Sequence, residues 1–380
     1  MIERPFWAAW IEASWRKAPI VWLSGVRRVG KTTLARQFQG AEHLNCDLPS
    51  VQRRVEDPES FFRSLGEGTL VLDEVHQLPD PSRLLKIGAD AFPGIRILAT
   101  GSSTLAATEK FRDSLTGRKR AIHLTPVRVD ELAAFGVRDL RVRLHRGGLP
   151  PALMATEPDP GFYSEWLDSY YARDVQELFR VEKRSGFLRL VEAVLRLSGG
   201  QLEVSTLSNL CGLSRPTIQN YLNVLELTHV ATLVRPYCGG GTRELVRQPK
   251  VYGFDTGFVA HARGWTDLRP ADCGILWEHV VHERLASDPA GHKVHYWRDK
   301  DRHEVDFVVP RGRDAVDAIE CKWNADAWDP GHLRVFRALH PQGRNWVVSP
   351  NVTAPLDRDV GGLNVTFSGL EGWQPAQDLG

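Results

Sequence analysis

Residues 20–32 read IVWLSGVRRVGKT. An apolar run, Ile20 to Ser24, enters a loop with glycines at Gly25 and Gly30, and the chain leaves through Lys31 and Thr32 into a helical stretch reaching Phe38. A buried strand that feeds a tight turn at the start of a helix restricts the chain to the α/β class. Gly25 to Thr32 also spell the G-x-x-x-x-G-K-T pattern of a phosphate-binding loop. The two glycines let backbone N–H groups wrap a phosphate, Lys31 reaches the β and γ phosphates, and the Thr32 hydroxyl is placed to hold magnesium. Val26, Arg27, Arg28, Val29 and Thr33 belong to the same nucleotide cradle, and the helix adds its N-terminal dipole. ATP and Mg2+ are the expected ligands.

A second apolar strand, Thr69 to Leu72, ends in Asp73 and Glu74. The first carboxylate is placed to hold magnesium through water and the second to polarise the attacking water, which turns binding into hydrolysis. A third strand, Ile95 to Thr100, runs into Gly101, Ser102 and Ser103. A hydroxyl there, Ser102 in the first instance, is a candidate sensor of the γ phosphate, against the plainer reading of an ordinary turn. Gly117-Arg118-Lys119-Arg120 precedes a fourth strand, Ile122 to Thr125. Arg118 or Arg120 can serve as an arginine finger across a subunit boundary, which would make the active form a homo-oligomer; a solvated basic turn is the alternative. Lys31, Glu74 and Arg118 form the expected catalytic set.

At 380 residues with 42% hydrophobic content, the chain is too long for one core and divides into several. The expected units are 1–135, the nucleotide domain; 136–185, a helical lid broken at Gly147-Gly148-Leu149-Pro150-Pro151 and at Pro158 to Gly161; 186–250; and 251–380. Trp7, Trp10, Ile11 and Trp15 recur at helical spacing and read as a packing stripe. A formal net charge of +1 gives no bulk field toward nucleic acid or membrane, so any DNA contact rests on local patches. Five dispersed cysteines without a zinc box read as reduced thiols. Neither a secretory signal nor a run near 18 apolar residues is legible, so a soluble, cytoplasmic protein with no membrane partner is expected.

Leu207 to Leu222 reads as a helix, a tight turn at Gly212 and a second helix capped by Ser214 with Pro216 in its first turn. Arg215, Thr217, Gln219 and Asn220 are polar on the second helix, and the hairpin around Gly239-Gly240-Gly241 carries Arg235, Arg243, Arg247 and Lys250 against Glu244. This predicts a winged helix-turn-helix over 186–250, with DNA as the candidate partner and a protein partner equally compatible.

Further on, Glu278 sits on a helical stretch, Asp306 on one strand and Glu320 with Lys322 on the next. Asp306 and Glu320 can meet around a metal to which Glu278 contributes, with Lys322 on the same strand face as Glu320. The spacing resembles the PD-(D/E)XK nuclease superfamily. That likeness implies a restriction-endonuclease-like domain over 251–380 whose nuclease residues would be Asp306, Glu320 and Lys322. Trp297 and Trp323 beside them read as core.

The segments GVRRVGKTTLARQF, LNCDLP, LVLDEVHQLP, LATGSST and SLTGR, followed by GGLPPAL, YYARDV and PKVYGFDTGF, closely resemble AAA-type ATPases of a large prokaryotic family that carries a C-terminal domain of unknown function. The resemblance implies that Lys31 and Thr32 bind nucleotide and magnesium, that Asp73 and Glu74 form the Walker B pair, and that Ser102 or Ser103 is a sensor. Val26 stands where proline is common, a change that removes no N–H. The implied function is magnesium-dependent ATP hydrolysis coupled to DNA binding, remodelling or cleavage. The alternative is an ATP-dependent switch or adaptor, on DNA or a partner protein, with a vestigial nuclease-like domain.

Overall fold

The computed structural model describes residues 2–101, 115–179, 181, 183–239, 248–371 and 373. Helix α1 (Pro5–Trp15) precedes strand β1 (Ile20–Ser24), and helix α2 (Lys31–Ala35) follows the glycine loop. Next come β2 (Glu42–Asn45), α3 (Pro49–Arg54), α4 (Pro58–Leu65), β3 (Gly68–Asp73), α5 (Pro81–Ala91), β4 (Ile95–Thr100) and β5 (Lys119–His123). The five strands form one parallel sheet in the order β2-β3-β4-β1-β5. Because side chains alternate across a strand, Ile20 and Trp22 join a core with Phe61, Phe62 and Leu85 on one face. Val21 and Leu23 join Trp7, Ile11 and Trp15 on the other, so the tryptophan stripe is packing.

Three local readings shift. The helix after the loop ends at Ala35 rather than Phe38, because its last turn tightens to Gln37 N→Leu34 O and Phe38 N→Ala35 O bonds. Strand β5 begins at Lys119 and stops at His123; at the sheet edge it needs no apolar run, and Leu124 keeps a single bond to Ser24 O. Strand β2 has an exposed, polar sequence, which is why alternation did not reveal it. Ser102 and Ser103 lie outside the described residues.

The middle of the chain is helical: α6 (Leu140–Arg146), α7 (Pro150–Leu153), α8 (Pro160–Tyr170), a π-helical turn at Tyr171–Val175, α9 (Gln176–Phe179) and α10 (Arg184–Leu197). Helices α11 (Val204–Cys211) and α12 (Arg215–Leu227) flank the turn at Gly212, with the Ser214 hydroxyl accepting from Thr217 N. Arg215, Gln219 and Asn220 are exposed and Thr217 is half-buried. Strands β6 (Ala231–Val234) and β7 (Lys250–Gly253) pair antiparallel. Residues 240–247 between them, with Arg243, Glu244 and Arg247, lie outside the described residues.

Helices α13 (Thr256–Ala262) and α14 (Pro270–Ala286) lead into β8 (His295–Arg298), β9 (Glu304–Arg311), β10 (Ala315–Cys321), α15 (Gly331–Leu339), β11 (Asn345–Val348), β12 (Leu356–Asp359) and β13 (Asn364–Ser368). These strands make a mixed sheet, β12-β13-β11-β10-β9-β8. Trp297 is fully buried in its core with Phe336 of α15, and Trp323 is partly buried. One apolar core runs without a break from Trp7 and Leu23 through Trp166, Leu222 and Trp277 to Trp373. All five cysteines are free thiols, four of them buried and Cys238 exposed. Among the described residues no helix is long and apolar enough to cross a membrane.

Candidate functional site

The glycine loop leaves the C-terminal end of β1, where the neighbouring strands are β4 and β5 and the chain order reverses. Such a crevice beyond the strand ends is where open α/β sheets take ligands. Gly25 has φ +151°, and a Cβ there would lie 2.8 Å from Leu124 O, so only glycine lets the loop pass that close to β5. Lys31 Nζ donates to Gly25 O at 2.8 Å and to Val26 O at 3.3 Å, which folds the ammonium over its own loop. Burial pulls its pKa below the ordinary lysine range, against the pull of Glu74 and Asp174.

Asp73 and Glu74 stand at the end of β3. The Thr100 hydroxyl, fully buried at the end of β4, donates to Asp73 Oδ1, and Glu74 N donates back to the same hydroxyl oxygen at 3.2 Å. Thr100 therefore fixes both carboxylate residues, from two and three residues before the serines singled out in the sequence. Glu74 adopts φ +54°, an unfavourable backbone for a non-glycine residue and one that recurs at functional sites. Its Oε2 lies 3.3 Å from His76 Nδ1.

A cavity of about 640 Å3 opens over the loop, a volume suited to a nucleotide. Helix α8 and the π-helical turn after it grip the loop directly. Arg27 Nε pairs with Asp174 Oδ2 at 2.6 Å, Trp166 Nε1 donates to Arg27 O at 3.0 Å, and the Arg28 guanidinium lies 5.4 Å over the Phe162 ring. Thr228 and Val230, just beyond α12, also line the cavity. Tyr170 OH lies 2.7 Å from Thr228 Oγ1, and the rings of His229 and His123 are 3.8 Å apart.

Arg118 lies at the opposite end of β1 from the loop, where its carbonyl accepts from Ile20 N. Its guanidinium pairs with Asp90 at 2.5 Å and 3.0 Å. Within one chain it does not approach the cavity. Arg120 is exposed.

This sheet, loop and carboxylate pair define an AAA-type ATPase domain, and residues 17–133 match the AAA domain family. The N-terminal part of the chain thus binds and hydrolyses ATP. Residues 137–269 match a domain of unknown function (DUF8612), and residues 273–360 match another (DUF4143). The chain is similar to uncharacterized proteins of Mycobacterium tuberculosis and Mycobacterium bovis, each 28% identical over 322 residues that cover 81% of this chain and 71% of the relative. Among solved structures it is similar to the Walker-type ATPase of Pyrococcus abyssi, at 16% identity and a TM-score of 0.45, over 69% of this chain and 96% of that one.

In the C-terminal sheet, the β9–β10 register sets Ile319 opposite Phe307 and so brings Glu320 beside Asp306. Lys322 Nζ lies 3.1 Å from Glu320 Oε2 and 3.7 Å from Asp306 Oδ2, and Asp306 Oδ2 accepts from Cys321 N at 2.8 Å. Glu278 joins the same acidic cluster through Lys250 rather than through Lys322. Its Oε1 accepts from Tyr252 OH at 2.6 Å and from Lys250 Nζ at 3.0 Å. Among the described residues, the group of three ligand side chains spaced for a metal is Asp299, Asp301 and His303, and not Glu278, Asp306 and Glu320.

Lys250, counted with the basic residues of the hairpin, is buried among acids instead of facing outward, because β7 turns it toward Glu278 and Glu304. Burial pulls its pKa down, but Glu278, Asp306 and Glu304 outweigh that and hold it above the usual lysine range. Burial, and then Asp306, push Glu320 up to about 8.

Proposed function

We propose that this protein is a nucleotide-driven switch in which the ATP state of the AAA-type domain sets the position of a winged helix on DNA. The observation that carries this reading is the placement of Thr228 and Val230 on the cavity wall. They follow the second helix of the helix-turn-helix directly, so a change at the phosphates reaches the helix that exposes Arg215, Gln219 and Asn220 through one hydrogen bond and one ring contact. The reading divides the chain at 1–135, 136–185, 186–250 and 251–380, the last unit having a restriction-endonuclease-like arrangement.

Lys31 neutralises the β and γ phosphates, and Glu74 orients the attacking water. The backbone of Gly25 to Thr33 wraps the nucleotide. Thr32 and Asp73 would hold magnesium, which when bound offsets phosphate charge; the Thr100 bond that fixes Asp73 supports this assignment. Arg118 acts only if a second copy presents it, which makes the working form an oligomer. Mixing Lys31→Ala with Arg118→Ala chains then restores part of the hydrolysis that each lacks alone.

The central test is fluorescence anisotropy of labelled duplex DNA with ATP, with ADP and without nucleotide. The expected result is a difference of about tenfold or more in Kd between ATP and ADP states, abolished in Lys31→Ala and weakened throughout by Arg215→Ala. DNA affinity that ignores nucleotide, together with a hydrolysis rate that ignores DNA, rejects the reading in favour of an adaptor for a protein partner.

A further inference from the structure

The acidic centre of the C-terminal domain contains a cation supplied by the chain itself. We infer that Lys250 holds the cation place of this centre, so that Glu278 and Glu304 are organised around a buried ammonium, beside the Asp306 and Glu320 pair that Lys322 holds, instead of a divalent metal. Lys250 Nζ lies 3.0 Å from Glu278 Oε1 and 2.6 Å from Glu304 Oε1, with its side chain 4% exposed. These are ammonium-to-carboxylate hydrogen-bond distances.

The surrounding groups complete the arrangement. Tyr252, two residues along β7, donates to the same Glu278 oxygen, so both donors on it come from one strand. Arg298 Nη1 takes Glu304 Oε2 at 2.8 Å, and Lys322 takes Glu320 Oε2. Glu320 Oε1 is buried with no hydrogen-bond partner.

Lys250 arrives from the β6–β7 pair and not from the strands that carry Asp306 and Glu320. The centre is therefore assembled from separate parts of the chain, with the Lys250 ammonium on β7 and the carboxylates on α14 and on the C-terminal sheet. Taking the ammonium away leaves carboxylates out of water without their counter-charge, a costly state that a divalent ion relieves. This inference stands independently of the ATPase reading.

The test uses the full chain without nucleotide and Mn2+ as the probe, followed by paramagnetic resonance and by thermal unfolding. Wild type and a double variant, Asp306→Asn with Glu320→Gln, are expected to bind the same amount of Mn2+. Lys250→Met is expected to unfold at lower temperature and to regain about 5 °C more than wild type at Mn2+ well above its Kd, whereas Lys250→Arg responds to Mn2+ no more than wild type does. One additional Mn2+ on wild type relative to the double variant overturns the inference, as does a folded Lys250→Met chain that ignores Mn2+. If Lys250→Met does not fold, the comparison of wild type with the double variant decides by itself.

Discussion

Thr100 shows how much one hydroxyl organises. It donates to Asp73 and accepts from the backbone of Glu74, and so joins the ends of β3 and β4 beside the residues proposed for hydrolysis. Thr100→Val keeps the shape and removes the bond. The expected outcome is a kcat for ATP hydrolysis lowered by about tenfold or more with little change in nucleotide affinity, the signature of an interaction that matters in the transition state. Steady-state kinetics beside a direct nucleotide titration measure this, and an unchanged kcat dismisses the role. The placement of Lys31 and Thr32 at the start of α2 and of Asp73 and Glu74 at the end of β3 was legible because their spacing and flanking strands are local. Thr100 was not, since a threonine ending an apolar strand gains its meaning only from the neighbour across the sheet.

Between elements, the decisive contact is the one from the π-helical turn to the phosphate loop. Arg27 and Asp174 are 147 residues apart in sequence and 2.6 Å apart in space. Trp166 secures the same stretch through the Arg27 carbonyl. Asp174→Asn is expected to lower ATP affinity a few-fold. Combined with Arg27→Gln in a double-mutant cycle, it should show a coupling of about 0.5–1 kcal/mol, as suits a pair that is partly exposed. Calorimetric titration of the single and double variants checks this, and strictly additive effects remove the contact from the binding mechanism. The helix-turn-helix segment was readable from its cap and turn, and the strand pairs from their apolar runs. The edge strand β2 and the start of β5 were not, because edges carry too little apolar patterning.

On the scale of the molecule, Arg143 binds segments together that are far apart in the sequence. It is fully buried, donates to Val127 O and Thr256 Oγ1, and pairs with Glu283 Oε2 at 2.5 Å. Beside it, Gly147 has φ +80°, and a Cβ there would lie 1.9 Å from Asp255 Oδ1, so the glycine pair between α6 and α7 permits this approach. Arg143→Ala leaves Glu283 buried and unpaired and should cost about 3–5 kcal/mol, read as a lower unfolding midpoint in denaturant. Replacing both partners by apolar residues should cost much less, and equal losses in the two cases contradict the account.

His282, buried and stacked on Tyr252 with ring centroids 4.6 Å apart, has its pKa lowered to about 4 by burial. Unfolded, it titrates near the ordinary value of about 6.5. Between these values the unfolded chain binds the extra proton, so this stability is complete above the unfolded value and is lost as pH falls toward the folded one. Relative to wild type, His282→Phe should therefore be spared about 2 kcal/mol of loss between pH 6.5 and 5, measured as the difference in their unfolding curves. Parallel pH profiles for the two chains oppose the assignment.

The sequence by itself determined the phosphate loop, its carboxylate pair, the parallel α/β core and the helix-turn-helix, because each follows from the order of residues within one strand, turn or helix. Only the tertiary structure decided that Lys250 points into the acids and not outward, that Thr100 governs Asp73 and Glu74, and that Thr228 and Val230 border the nucleotide cavity. Those facts depend on which distant segments pack together, and a buried charge takes its role from the neighbours that compensate it.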